Sequence, residues 1–161
     1  MTREQFKELF DNHFDSVRNY IYYRSGDTEM ATDIAQDTFL RIWEKQLSTD
    51  HKNITGLLFK ISGDLFVSQY RRQKVFDKFR LNIKPPFTGR SPEELMIFEE
   101  MKARYESALA KMPEKQRTVF LMSRMEELKY QEIAERLELS VKAVEKRMNL
   151  ALAYLKQATG E

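Results

Sequence analysis

Two imidazoles, His13 and His51, and no cysteine stand among 161 residues, so soft-metal ligands and the usual nucleophile and base pairs are scarce from the outset. His13 falls in the apolar spacing of a predicted helix and reads as a partly buried residue. His51 lies in a loop without neighbouring ligands. No Gly-rich phosphate loop, nucleophile elbow or metal-ligand spacing occurs. The chain therefore reads as a non-enzyme that needs no metal or cofactor and has no small-molecule substrate. The chemistry it can do is charge set at helical spacing, in three groups. Asp33, Asp37 and Glu44, with Leu40, line one side of a helix, where like charges four apart repel unless a partner relieves them. A basic protein surface would do so, and a solvated face needs no partner at all. Lys60, Arg71, Arg72 and Lys74 interleave with Phe59, Phe66, Tyr70 and Phe76, a mixture suited to single-stranded DNA, where rings stack on bases and cations hold the backbone. Aromatics at that spacing also serve as core, and at least two of the four are expected inside. Lys142, Lys146, Arg147 and Lys156 face Glu145 alone near the C-terminal end, a local balance of +3.

The elements that must position these groups are helical throughout. Thr2 and Gln5 form a capping box, and Phe6, Leu9, Phe10, His13, Phe14, Val17, Tyr20 and Ile21 follow one helical face to about Arg24. Ser25-Gly26-Asp27 stops that helix and caps the next, which runs through Trp43 with Ala31, Ala35 and Phe39 inward. Gln46 to Asn53 reads as a loop, and a third helix is predicted from Ile54 to Gln73. The pattern lapses from Lys78 to Ser91, where two of the four prolines fall. This places a linker at 78–91 between domains at 1–77 and 92–161. Ser91-Pro92-Glu93-Glu94 opens a helix toward Met112, and Pro113 opens another to Arg124.

Tyr130 to Met148 then reads as a short helix, a tight turn and a second helix capped by Ser140. Ile133, Leu137, Leu139 and Val144 fall where a helix-turn-helix needs apolar contacts, and Ala134 where its helices approach most closely. Glu138 occupies the turn position that favours glycine, at a cost of roughly 1 kcal/mol. In such a motif the second helix enters the major groove, so Lys142, Lys146 and Asn149 can reach base edges, Glu145 can accept from cytosine, and flanking cations meet phosphates. A helical hairpin with a wet outer side is the plain alternative.

The summed charge is only +2, yet residues 1–50 carry 6 basic and 10 acidic side chains and residues 51–80 carry 7 and 2. A polarised chain fits a protein that holds both nucleic acid and a basic partner. There is no uncharged apolar run of about 18 residues and no apolar start, so a cytoplasmic protein is expected.

Taken in order, these residues resemble the extracytoplasmic-function sigma factors of bacterial RNA polymerase. Asp33-Ile-Ala-Gln-Asp-Thr-Phe-Leu-Arg-Ile-Trp43 is similar to that family's polymerase-binding signature, Ile61 to Arg72 to its promoter-melting helix, and Met112 to Phe120 with Tyr130 to Arg147 to its C-terminal module. The resemblance implies an all-α protein of two small domains on a flexible linker, with a helix-turn-helix in the second. It implies that Asp33, Gln36, Asp37, Phe39, Leu40 and Trp43 form, or support, the surface gripping the β′ clamp helices of core polymerase, whose β subunit is a second contact. Asn53, Lys60, Asp64, Arg71 and Arg72 would hold the melted minus-ten element. Lys115, Ser140, Lys142, Glu145, Lys146, Arg147 and Asn149 would serve the minus-thirty-five element. An anti-sigma factor, often membrane-bound, is the implied regulator. The family's melting helix typically reads Ile-Ala-Arg-Asn where this chain has Ile61-Ser62-Gly63-Asp64. Two other readings remain: a dimeric helix-turn-helix regulator acting without polymerase, and a helical adaptor without DNA.

Overall fold

The computed structural model describes residues 1–46, 54–70, 79–81, 83–85, 89 and 91–160, and the regular elements within them are helices. The first hairpin follows its caps. Thr2 Oγ1 accepts from the Gln5 amide at 3.1 Å and Gln5 Oε1 accepts from the Thr2 amide at 2.9 Å, opening α1 (Arg3–Ser25). Gly26, at φ 72°, ends it in the left-handed region that an L side chain resists. Asp27 then accepts from the Met30 amide at 3.2 Å and starts α2 (Thr28–Glu44).

The third predicted helix is helical over all its described residues but changes its winding. α3 (Ile54–Leu65) passes into a π-helical turn at Phe66–Tyr70, where the Ser68 hydroxyl bonds the Leu65 carbonyl at 3.4 Å. The remainder of the predicted helix, 71–73, lies outside the described residues, as does most of the 46–53 loop. Ser91 caps α4 (Pro92–Lys111) by accepting from the Glu94 amide at 3.2 Å, and α5 (Glu114–Met125) follows Pro113. α6 (Tyr130–Leu137) and α7 (Val141–Thr159) complete the chain.

Two apolar cores result. One lies within the first three helices, where Leu9, Val17, Ala35, Ile42 and Leu58 surround Phe39 and the rings of Phe6, Phe10 and Phe14 stand 6.4, 5.2 and 5.9 Å from it. The other crosses the chain's two halves: Ile21, Tyr23, Phe59 and Phe66 pack with Leu109, Met112, Val119, Ile133 and Met148. Phe59 and Phe66 are thus core, as the spacing of those aromatics allows. Part of the 78–91 stretch joins them, since Phe79 is 1% exposed and its ring lies 5.5 Å from Tyr22.

Arg117 sits at the centre of this second core. It is 1% exposed, and its hydrogen-bond partners among the described residues are backbone carbonyls rather than a carboxylate. Nε donates to Tyr23 O at 2.7 Å and NH2 to Arg24 O, both at the end of α1. NH1 donates to Leu109 O at 3.2 Å and Met112 O at 3.0 Å, at the end of α4. Helix ends leave their last carbonyls without partners and carry partial negative charge, so one cation satisfies both termini. Phe79 closes the face of the guanidinium at 4.6 Å. Burial lowers the Arg117 pKa to about 10, which keeps it charged at neutral pH. Arg117→Met should keep the volume and abandon four carbonyls, at a cost of about 2–4 kcal/mol and a fall in Tm of roughly 5–15 °C by calorimetry. A loss below about 1 kcal/mol would refute the role given to this side chain.

Candidate nucleic-acid and partner surfaces

The acidic side of α2 is outward. Asp33 and Gln36 are exposed, Asp37 is half-buried and Leu40 is 51% exposed. Phe39 is buried and Trp43 half-buried, its ring 5.2 Å from Phe6, so these two support the surface from below. Among the described residues no ion pair involves Asp33, Asp37 or Glu44. Unpaired carboxylates around an exposed leucine make a surface that a basic, partly apolar partner would complement.

On α3 the side chains of Lys60 and Asp64 fall on one exposed stripe with Val67. Gly63 lies beside them in close quarters: a Cβ there would stand 3.2 Å from both Arg24 NH1 and Tyr20 Oη, so those side chains would have to give by a few tenths of an ångström. Asn53, Arg71 and Arg72 lie outside the described residues. The stripe fronts a cleft of about 190 Å³ whose opposite wall is Arg136, Leu137 and Glu138 at the end of α6.

The helix-turn-helix has the geometry its sequence requires. Ser140 Oγ accepts from the Ala143 amide at 3.1 Å, and Ile133, Ala134 and Val144 are buried between α6 and α7. Glu138 takes φ 54°, ψ 46°, the left-handed conformation expected at that turn. Lys142, Glu145, Lys146 and Asn149 are exposed at the i, i+3, i+4, i+7 spacing of one face, which is what a helix needs to reach base edges. Arg147 is half-buried, and with exposed Lys115 it borders a second cleft shared with Tyr20, Arg24 and Glu114.

Three features escaped the sequence. The Arg117 cage is one, because nothing in spacing tells a buried arginine from an exposed one. An apolar groove of about 490 Å³ is another, lined by Leu81, Ile83, Phe98, Met101, Phe120 and Met125 with Lys102 and Arg124 at its rim. The third is a buried polar cluster of Glu126, Asn19, Tyr23 and Arg136, where burial raises the pKa of Glu126, and where Glu126 Oε2 and Arg136 NH1 have no hydrogen-bond partner among the described residues. His13 borders this region, and burial, followed by the charge of Arg136, lowers its pKa. Among the described residues no cluster of metal-ligating side chains exists and no helix is long and apolar enough to cross a membrane.

Comparison with known proteins places two family models on the chain: "Sigma-70 region 2" matches residues 9–75 and "Sigma-70, region 4" residues 102–155. The chain is 26% identical over 159 residues to the RNA polymerase sigma factor YlaC of Bacillus subtilis, covering 96% of this chain and 92% of that protein. It is 28% identical over 151 residues to the ferric citrate uptake sigma factor FecI of Escherichia coli, covering 92% and 87%. Its fold matches that of the sigma factor RpoE of Bartonella quintana, solved with the anti-sigma factor NepR, with a TM-score of 0.61 at 20% identity over 95% of each chain.

Two consequences of the local geometry are measurable. Glu138→Gly relieves the left-handed strain and should stabilise the chain by about 0.5–1 kcal/mol in chemical denaturation; destabilisation would contradict the strain. Because His13 is lowered in the fold, the unfolded chain takes up its proton first as pH falls through about 6.5, and stability declines from there to the folded pKa. His13→Gln should therefore lose less Tm than the parent between about pH 7 and about pH 5.5. An equal loss in both would remove His13 as the cause.

Proposed function

The chain belongs to the extracytoplasmic-function sigma factors, within the sigma-70 family of bacterial RNA polymerase, and from that membership we propose how its surfaces direct promoter-specific transcription initiation. It is the specificity subunit and not itself an enzyme: core polymerase supplies the chemistry. The observation that carries this reading is the pairing of two modules in one chain, a region-2 match at 9–75 and a region-4 match at 102–155. A helix-turn-helix regulator acting alone would have no use for the first, so the dimeric alternative is not favoured.

In this reading the domains are 1–77 and 92–161, joined by 78–91. Asp33, Gln36, Asp37 and Leu40 meet the β′ clamp helices, with Phe39 and Trp43 holding that surface in shape. The unpaired carboxylates support this, since a basic partner relieves their mutual repulsion. The apolar groove beside α4 and α5 suits the contact with the β subunit. Lys60 and Asp64, with Asn53, Arg71 and Arg72, serve the melted minus-ten strand. Lys142, Glu145, Lys146 and Asn149 read the minus-thirty-five element, Ser140 caps that helix, and Arg147 and Lys115 take phosphates. Each site is weak alone, and the tether converts them into one strong engagement by effective concentration. The partners are core polymerase, promoter DNA and an anti-sigma factor, and the place of work is the cytoplasm.

In vitro transcription from genomic fragments with purified core enzyme tests the whole reading, and new start sites should appear only when the chain is added. Asp37→Arg or Leu40→Arg should weaken core binding by about tenfold or more, or roughly 1.4 kcal/mol, while helicity is kept. Lys146→Glu with Arg147→Glu should leave core binding intact and abolish transcription from promoters that need the upstream element. Undiminished core binding by both Asp37→Arg and Leu40→Arg would overturn the docking assignment.

A further inference from the structure

The helix that carries the base-facing cations begins with a side chain that has nothing polar to offer. Ser140 caps α7, its Oγ accepting from the Ala143 amide and its carbonyl from the Val144 amide, each at 3.1 Å, so the first turn is fixed. Val141 is the first residue of that turn and is 46% exposed. It stands three positions before Val144, whose buried stripe continues through Met148, Ala151 and Leu155, yet it joins neither apolar core. A lone exposed valine elsewhere on a surface would need no explanation. This one lies beside Lys142 and one turn before Glu145, in the part of a helix-turn-helix whose side chains approach base edges.

In the major groove chemistry restricts what such a side chain can meet. Guanine presents two acceptors, cytosine a donor, adenine an acceptor and a donor, and thymine an acceptor beside its C5 methyl. An isopropyl group set against a polar edge takes water from a donor or acceptor and returns no hydrogen bond, which is costly. Against the thymine methyl, both surfaces leave water and both gain. Attraction to one edge and a penalty against the others act together, and that combination gives specificity. Glu145 follows four residues later on the same side of the helix. Cβ atoms at that spacing lie about 6 Å apart, within two base-pair steps of about 3.4 Å.

We propose that Val141 is a specificity-determining residue that reads a thymine C5 methyl in the upstream promoter element, within about two base pairs of the base that Glu145 meets. The claim rests on the minus-thirty-five role given to α7. Lys142, Glu145 and Lys146 select by hydrogen bonding, and Val141 adds a selection by hydrocarbon that ions do not screen.

Deoxyuridine pairs as thymine does and lacks only the methyl, so it isolates the contact. Holoenzyme formed from core polymerase and the full chain is titrated with promoter duplexes taken from start sites that appear with the chain. Each thymine of their minus-thirty-five element is replaced singly by deoxyuridine. One replacement should weaken binding by the parent about two- to fourfold, the worth of one methyl removed from water. Because this comparison alters the DNA alone, it does not depend on how a variant folds. Val141→Ser should bind the two duplexes equally, whereas Leu152→Ala, which trims a 39% exposed leucine three turns further along the same side, should keep the parent's ratio. That ratio should be the same at about 50 and about 200 mM salt, while affinity itself falls steeply. An element in which no deoxyuridine weakens the parent would overturn the contact. So would an equal loss in the parent and Val141→Ser, a ratio that drifts with salt, or sensitivity confined to thymines more than about three pairs from the base relaxed by Glu145→Ala. A gain from 5-methylcytosine over cytosine, with no loss from deoxyuridine, would overturn thymine as the ligand. Absence of any start site would bring down the sigma-factor reading and the contact with it, whereas start sites without a methyl effect bring down the contact alone.

Discussion

Where α1 and α4 stop, their last carbonyls point at the same guanidinium. A helix end buried without partners is costly, and this fold buries two of them side by side. Arg117 resolves both, donating to Tyr23 and Arg24 on one side and to Leu109 and Met112 on the other. Much else depends on that arrangement. The second apolar core can cross from Ile21 to Val119 because the two termini are held together, and Phe79 has a place to sit because the guanidinium gives its ring a cation to face.

Charge around this joint falls into exposed faces and one interior pair. Among the described residues the face of α2 keeps its carboxylates without ion pairs, over a base of rings set edge-on and tilted around Phe39 that gives it little freedom to deform. The face of α7 keeps Lys142 and Lys146 exposed, and the stripe of α3 carries Lys60 beside Asp64. Among the described residues, the interior pair, Arg24 with Glu114, is the one ion pair that joins the two halves. Those three faces thus keep their charges free of ion pairs among the described residues, whereas the pair across the halves lies inside.

The sequence made the helices legible, and for physical reasons. Caps at Thr2, Asp27, Ser91 and Ser140 are local signals, and each forms the bond that its residue type suggests. The positive φ at Glu138 was legible too, because a helix-turn-helix dictates that turn regardless of the residue that fills it. Packing between the halves was not. Arg24 and Glu114 are 90 positions apart, and a periodic pattern cannot say which cation will find which carboxylate. Gly63 read as a departure from the family's melting helix, and the close approach of Arg24 and Tyr20 from α1, which favours a residue without a side chain, is not visible in the sequence. The linker stretch was legible as a break in pattern, but Phe79 within it is core, since burial there depends on a ring and a cation from distant helices.

The cage around Arg117 also sets how the molecule responds to its ionic surroundings. Counterions weaken contacts between exposed charges but hardly reach a guanidinium bonded to interior carbonyls. Contacts with DNA phosphates are the opposite case, since each one releases condensed cations and fades as the electrolyte is concentrated. A rise in intracellular potassium would thus loosen this chain's hold on the genome while leaving the hinge between its halves intact.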